Sequence, residues 1–126
     1  MDFSKVIPTR LTIGSSSYNF RSKSEAIFAL YLQDQISVGF VESWQYEPTR
    51  FAFAVNARNV VHSYLPDFRV VFKSGVIVWY EVKGRMTQAD IQRHRLFISG
   101  GNVLYVIKTD SPFMRKIYNK YNRFIK

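Results

Sequence analysis

A mixed α/β sandwich around a central sheet is the fold this sequence predicts, and three observations carry it. A helix-periodic stretch, SKSEAIFALYLQDQI, precedes a series of strand-like runs. Two of those runs, residues 66 to 72 and 76 to 83, are joined through Lys-Ser-Gly, the residue chemistry of a hairpin. Two more segments with helix caps, at Thr87 and Ser111, enclose a further apolar run, an alternation that lays helices on the faces of a sheet.

Taken in order, residues 1 to 17, including GSSS, read as an N-terminal arm or edge strand of one domain filling 1 to 126. In the first helix Phe28, Leu32 and Ile36 recur on one face, flanked by Ile27, Ala29 and Tyr31. Ser22 is its N-cap, and Glu25 three residues on completes a capping-box pattern. Glu25 also sits one turn before Phe28 and Ala29 and two before Leu32, which sets it on or beside the buried stripe, so capping and a buried role are both open. FVESWQYEP and RFAFAV read as strands parted by a turn at Pro48-Thr49, with a polar loop from Asn56 to Asn59. After the hairpin, TQADIQRHRLFI reads as a helix capped by Thr87, and GGNVLYVIK as a loop and a buried strand. SPFMRKIYNKYNRFIK closes the chain as a helix with Ser111 as cap and Pro112 at its first position.

Composition narrows the function. Eighteen Lys and Arg against nine Asp and Glu leave a formal charge of +9, an excess that suits a polyanionic partner, with nucleic acid first. An acidic membrane is the second candidate, but no segment pairs a basic face with a clean apolar face. No apolar stretch approaches the roughly 18 residues of a membrane span, and MDFSKVIPTR lacks the layout of a secretory signal, so an intracellular, cytoplasmic protein is expected. The chain has no cysteine, which excludes disulfides, thiolate zinc sites and cysteine nucleophiles. Any metal must sit on oxygen or imidazole.

The hairpin decides where the acids go. With Ser74-Gly75 alone as the loop, Asp67 falls opposite Val82 and is buried among hydrophobes, a costly arrangement. With the three residues Lys73-Ser74-Gly75, and Gly75 left-handed, Asp67 falls opposite Glu81. One face then carries Phe68, Val70, Phe72, Val76, Val78, Tyr80 and Val82, and the other Asp67, Arg69, Trp79, Glu81 and Lys83. The three-residue loop is therefore expected. Two opposed carboxylates repel and raise a pKa unless a cation sits between them, and with a backbone carbonyl and waters they suit Mg²⁺ or Mn²⁺. Lys83, on the same face, is placed to orient or deprotonate a water or to neutralise a phosphate. The plainer alternative is a surface ion pair of Lys83 with Glu81 or Asp67, worth at most about 1 kcal/mol.

Pro66-Asp67, thirteen residues, then Glu81-Val82-Lys83, all preceded by a helix bearing Glu25, resembles the PD-(D/E)XK nuclease superfamily. Within it, VESWQYEP through HSYLPDFRV to YEVKGRMTQADIQRHRLF is most similar to the phage-type endonuclease I group of Holliday junction resolvases, over roughly residues 18 to 110. The resemblance implies a restriction-endonuclease-like αβββαβ core, a central mixed sheet flanked by helices. It implies a Mg²⁺-dependent endodeoxyribonuclease cutting branched DNA in recombination, phage-encoded and acting in the host cell. The implied metal ligands are Asp67, Glu81 and the Val82 carbonyl, with Glu25 reaching in from its helix and Lys83 positioning or activating water. Transposon-end and other restriction-like phage nucleases acting on duplex share these residues, and a binding module that kept the fold without cleavage is the alternative of another class. Cutting two strands symmetrically suits a homodimer.

Arg85, Gln92, Arg93, Arg95 and the basic ladder Arg115, Lys116, Lys120 and Arg123 are candidate phosphate contacts, with solvated helix surface as the alternative for each. His62 and His94 form no zinc pair and read as surface or DNA-facing residues. Trp44 and Trp79 read as core.

Overall fold

The computed structural model describes residues 7–53 and 63–125. Its first element is a hairpin. β1 (Thr9–Ile13) and β2 (Ser16–Phe20) pair antiparallel, turning at Gly14, whose φ of 63° is one that glycine adopts without steric cost. Residues 9 to 20 are thus a separate two-stranded sheet, and the hairpin lays Ile13 and Phe20 into the core beside α1 (Lys23–Ser37). The reason is local: GSSS supplies the turn, and only a folded-back hairpin can bury both ends of the pair.

Ser22 caps α1, its Oγ accepting the Glu25 N–H at 3.1 Å. The reciprocal half of the predicted capping box is displaced by one residue, because the Glu25 carboxylate accepts from the Arg21 N–H at 3.3 Å. The stripe expected on α1 is largely buried: Ala26, Ile27, Phe28, Ala29 and Leu32 are inaccessible or nearly so, while Tyr31 and Ile36 are half-buried.

β3 (Val41–Tyr46) follows, and then a short ribbon of β4 (Phe51–Ala52) with β5 (Ser63–Tyr64), the described remnant of the longer strand expected over residues 50 to 55. The Asn56–Asn59 loop and His62 lie outside the described residues. β6 (Phe68–Phe72) and β7 (Ile77–Lys83) form the central hairpin. α2 (Gln88–Ser99) is capped by Thr87, β8 (Leu104–Lys108) returns to the sheet, and α3 (Pro112–Tyr121) is capped by Ser111 with Pro112 in its first turn. The main sheet has the order β3-β6-β7-β8, antiparallel except for the parallel β7–β8 pair that α2 makes possible by crossing over. Three α-helices and this mixed four-stranded sheet among the described residues make the class α/β. Among the described residues no helix is long and apolar enough to cross a membrane.

The expected turn is present. Gly75 has φ 91°, the Phe72 N–H donates to the Val76 carbonyl at 2.9 Å, and Phe68 pairs with Tyr80 and Val70 with Val78. Continued by one step, that register sets Asp67 against Glu81. Phe68, Val70 and Val82 face α1 and α3, where they meet Phe28, Met114, Ile117 and Tyr118. The opposite face buries Trp79 beneath Phe97 of α2, with Tyr64 and Phe51 around it, and Trp44 is buried in the first cluster. β8 departs from expectation. It is an edge strand with no fully buried residue, and Tyr105 remains 59% exposed, because an apolar run bonded on one side only has one side of its neighbours missing.

Candidate functional site

A cavity of about 580 Å³ opens where β6 begins and β7 ends, lined by Glu25, Asp67, Glu81, Val82 and Lys83. The same cavity is bordered by Arg21, Arg50, Arg85 and Arg93. The four side chains singled out in sequence therefore meet, delivered by three routes. α1 presents Glu25 from its first turn, the residue before β6 presents Asp67, and the last three residues of β7 present Glu81, Val82 and Lys83.

Each acid is held by donors that the local fold places. Asp67 is 8% exposed, and its Oδ2 accepts the Val82 N–H at 2.8 Å. The Lys83 carbonyl accepts from the Thr109 N–H at 3.1 Å, so that residue's backbone polar groups face the β8 side. Alternation then turns those of Val82 the other way, which puts the Val82 carbonyl on the side of Asp67. The Asp67 carbonyl in turn accepts the Glu47 N–H at 2.7 Å. Glu47 holds a φ of 45°, a left-handed conformation uncommon for a non-glycine residue, and its carboxylate pairs with Arg21 at 2.7 Å. Burial, then the charges of Glu25 and Glu81, push the Asp67 carboxyl well above its ordinary range, with the Val82 N–H pulling the other way.

Glu25 is 6% exposed, and the Tyr46 hydroxyl donates to its Oε1. Burial raises its pKa, opposed by the hydrogen bonds from Tyr46 and the Arg21 N–H. Glu81, also 6% exposed, is gripped from both sides: the Tyr64 hydroxyl donates to Oε1 at 2.7 Å, and His94 Nε2 lies 2.9 Å from Oε2. His94 is thus a buried partner of Glu81, not the surface or DNA-facing residue expected. Lys83 pairs with neither Glu81 nor Asp67. Its Nζ stands 3.2 Å from Asp90, whose carboxylate also closes the capping box of α2 with Thr87. Burial alone would raise the Asp90 pKa, but hydrogen bonds from Thr87 and the Lys83 ammonium outweigh it and hold the group below its usual range.

Asp90, His94, Tyr64, Tyr46, Arg21 and Arg50 are the neighbours that sequence reasoning missed. One signal was available: Asp90, His94 and Phe97 recur at helical spacing, and the last belongs to the core. Of the candidate phosphate contacts, Arg85 and Arg93 border the cavity. Gln92 and Arg95 lie on α2 away from its lining, and Arg115, Lys116, Lys120 and Arg123 project from the exposed side of α3 and the turn after it. Lys120 is 3.8 Å from Asp34, and Arg123 stacks on Phe124.

Among the described residues, no three His, Asp or Glu side chains form a ready-made cation cage. Mg²⁺ does not need one, since it is commonly bound through one or two carboxylates with retained waters and substrate phosphates. The donor set fits that habit: Asp67 and Glu81 in register, the Val82 carbonyl beside Asp67, and no cysteine anywhere in the chain. No protein-family model, curated protein or solved structure matches the chain.

Proposed function

We propose that this protein is a Mg²⁺- or Mn²⁺-dependent DNA endonuclease of PD-(D/E)XK type that hydrolyses phosphodiester bonds in branched DNA such as the Holliday junction. The observation that carries the reading is the placement of Asp67 against Glu81, with Lys83 two residues on, at a cavity that Glu25 also reaches. The element order from α1 through β3, β6 and β7 to α2 and β8 supports a restriction-endonuclease-like core. Four arginines at the rim, Arg21, Arg50, Arg85 and Arg93, support a phosphate backbone as the group admitted.

Asp67, Glu81 and the Val82 carbonyl would hold the cation, with Glu25 reaching toward it from α1; when bound, the ion would supply Lewis-acid charge and lower the pKa of a water. Lys83 would position or activate an attacking water facing the phosphorus. Glu25 and Asp67, both raised in pKa by burial, are acids whose ionised forms a cation would favour. Rim arginines fix the strand so that the scissile phosphate enters the cavity instead of sliding past it. A homodimer, acting in the cell that holds the DNA, would present two such cavities to the two strands of a junction.

The test compares four-way junction, flap, nicked and plain linear duplex, each with Mg²⁺, Mn²⁺ or EDTA, using wild type and Asp67→Asn. Junction cleavage that needs metal and drops more than about a hundredfold in Asp67→Asn is expected, since losing a ligand should exceed the 10–100-fold typical of losing a ligand's supporting partner. Cleavage that survives chelation or Asp67→Asn would overturn the metal-nuclease reading. Equal cutting of duplex and junction would remove the junction preference and leave a duplex nuclease.

A further inference from the structure

The inner face of α2 is unlike that of α1. Its buried residues are Asp90, His94 and Phe97, and two of the three are polar. Each meets an alternate residue of β7. Asp90 lies 3.2 Å from Lys83 Nζ, His94 Nε2 is 2.9 Å from Glu81 Oε2, and the Phe97 ring stands perpendicular to Trp79 with centroids 5.6 Å apart. Helix and strand thus form three rungs in opposite running order. The two rungs nearest the cavity are polar, and the distal one is aromatic.

A buried polar pair needs a reason, because apolar residues at the same positions would pack without desolvating an imidazole and a carboxylate. His94 does not line the cavity, so it does not serve as a substrate contact from where it stands. Its bond is to Oε2 of Glu81, and Tyr64 grips Oε1 at 2.7 Å. Between them, two donors from separate elements fix the carboxylate plane. An unsupported glutamate samples several rotamers, and each must be given up when a cation binds.

We infer that α2 is a positioning helix for the site: His94, with Tyr64, holds Glu81 in its ligand geometry, and Asp90 holds Lys83 toward the same cavity. Neither His94 nor Asp90 is a catalytic residue; each acts through the β7 side chain it touches. The inference rests on the metal-site reading above and specifies which of the chain's own residues set that site's affinity.

Isothermal titration with Mn²⁺, without DNA, tests it on the full chain, alongside melting curves in EDTA. Wild type, His94→Ala, His94→Gln, Tyr64→Phe and Phe97→Leu are compared. His94→Ala is expected to weaken Mn²⁺ binding about 10–100-fold, the range typical when a metal ligand loses its supporting hydrogen bond. His94→Gln, which keeps a donor of similar reach, recovers most of that loss. Tyr64→Phe keeps the ring and its packing and loses only the hydroxyl, so it weakens binding even if His94→Ala does not fold. Phe97→Leu lowers the melting temperature and leaves Mn²⁺ affinity at the wild-type value. Wild-type affinity in both His94→Ala and Tyr64→Phe overturns the positioning role while the metal site stands. Equal weakening in Phe97→Leu also overturns it, because general loosening then explains the effect. A wild type that takes up no Mn²⁺ removes the metal site and this inference together.

Discussion

On the side of the sheet turned to α1 and α3, the side chains that meet are Phe20, Phe28, Phe68, Val70, Met114 and Ile117. On the side turned to α2 they are Tyr64, Trp79, Glu81, His94 and Phe97, with Lys83 and Asp90 at the margin. Both sides exclude water, but they do so with different chemistry. The first is a continuous aromatic and aliphatic cluster, in which Phe68 touches the rings of Phe20, Phe28, Trp44 and Tyr46. Burying one such ring contributes about 1.5–3 kcal/mol, whereas a buried carboxylate is tolerated only while its donors stay in place. The lesson is a division of labour across one sheet. The apolar side supplies stability, and the polar side holds charged groups in geometries that the chain alone would not favour.

The largest test of that division falls on the apolar side. Phe68→Ala, at a side chain with no exposure, should cost about 3–5 kcal/mol in urea unfolding. A loss under about 1 kcal/mol would mean that the α1 side is not the main source of stability.

The next prediction concerns the polar side and carries a definite sign. Asp67 has a folded-state pKa above its unfolded value, so between the two the folded chain binds more protons than the unfolded one. Stability from this group is fully present below the unfolded pKa, about 3.9, and is lost as pH rises through the raised folded pKa. In EDTA, then, Asp67→Asn should melt above wild type at neutral pH, with the gain fading as pH falls toward 4. Added Mn²⁺ should narrow the gap by raising only the wild type. An Asp67→Asn that melts lower than wild type at neutral pH in EDTA would show that the carboxylate is stabilising, contrary to its surroundings.

The smallest effect sharpens the boundary between the two sides. Thr87→Ala removes the cap that fixes both the start of α2 and the Asp90 carboxylate, and should cost about 1 kcal/mol by thermal or urea unfolding. Ser111→Ala, at the α3 cap, is the matched control, expected to cost a similar amount without disturbing Lys83.

Much of this was legible in the sequence, and the exceptions have physical causes. The hairpin register could be worked out because only one turn length separates Asp67 and Glu81 from the apolar positions, and Gly75 supplies the backbone that this length requires. The caps at Ser22, Thr87 and Ser111 were legible because capping is a contact among neighbours in sequence. The polar inner face of α2 was not. His94 reads as a surface or DNA-facing position and Asp90 carries no signal of its own, because their partners on β7 are set by tertiary packing. β8 looked buried because an apolar run carries no mark of whether its sheet continues. Arg21 and Arg50 were missed because neither lies in a segment with a motif; the end of β2 and the β3–β4 connection bring them to the rim.

The three rungs between α2 and β7 have a consequence for how this protein can change. Two strand residues advance about 6.6 Å, while the intervals of four and three helix residues advance about 6.0 and 4.5 Å. The two ladders drift apart by a few ångströms over their length, so a fourth rung would fall out of step, and three is close to the most such a pairing can sustain. Surface connections elsewhere accept added residues at small cost. Within α2, one residue added between Asp90 and His94 turns everything after it by about 100° and carries His94 off Glu81. The stretch from Asp90 to Phe97 is therefore free to vary on its outer side but not in length.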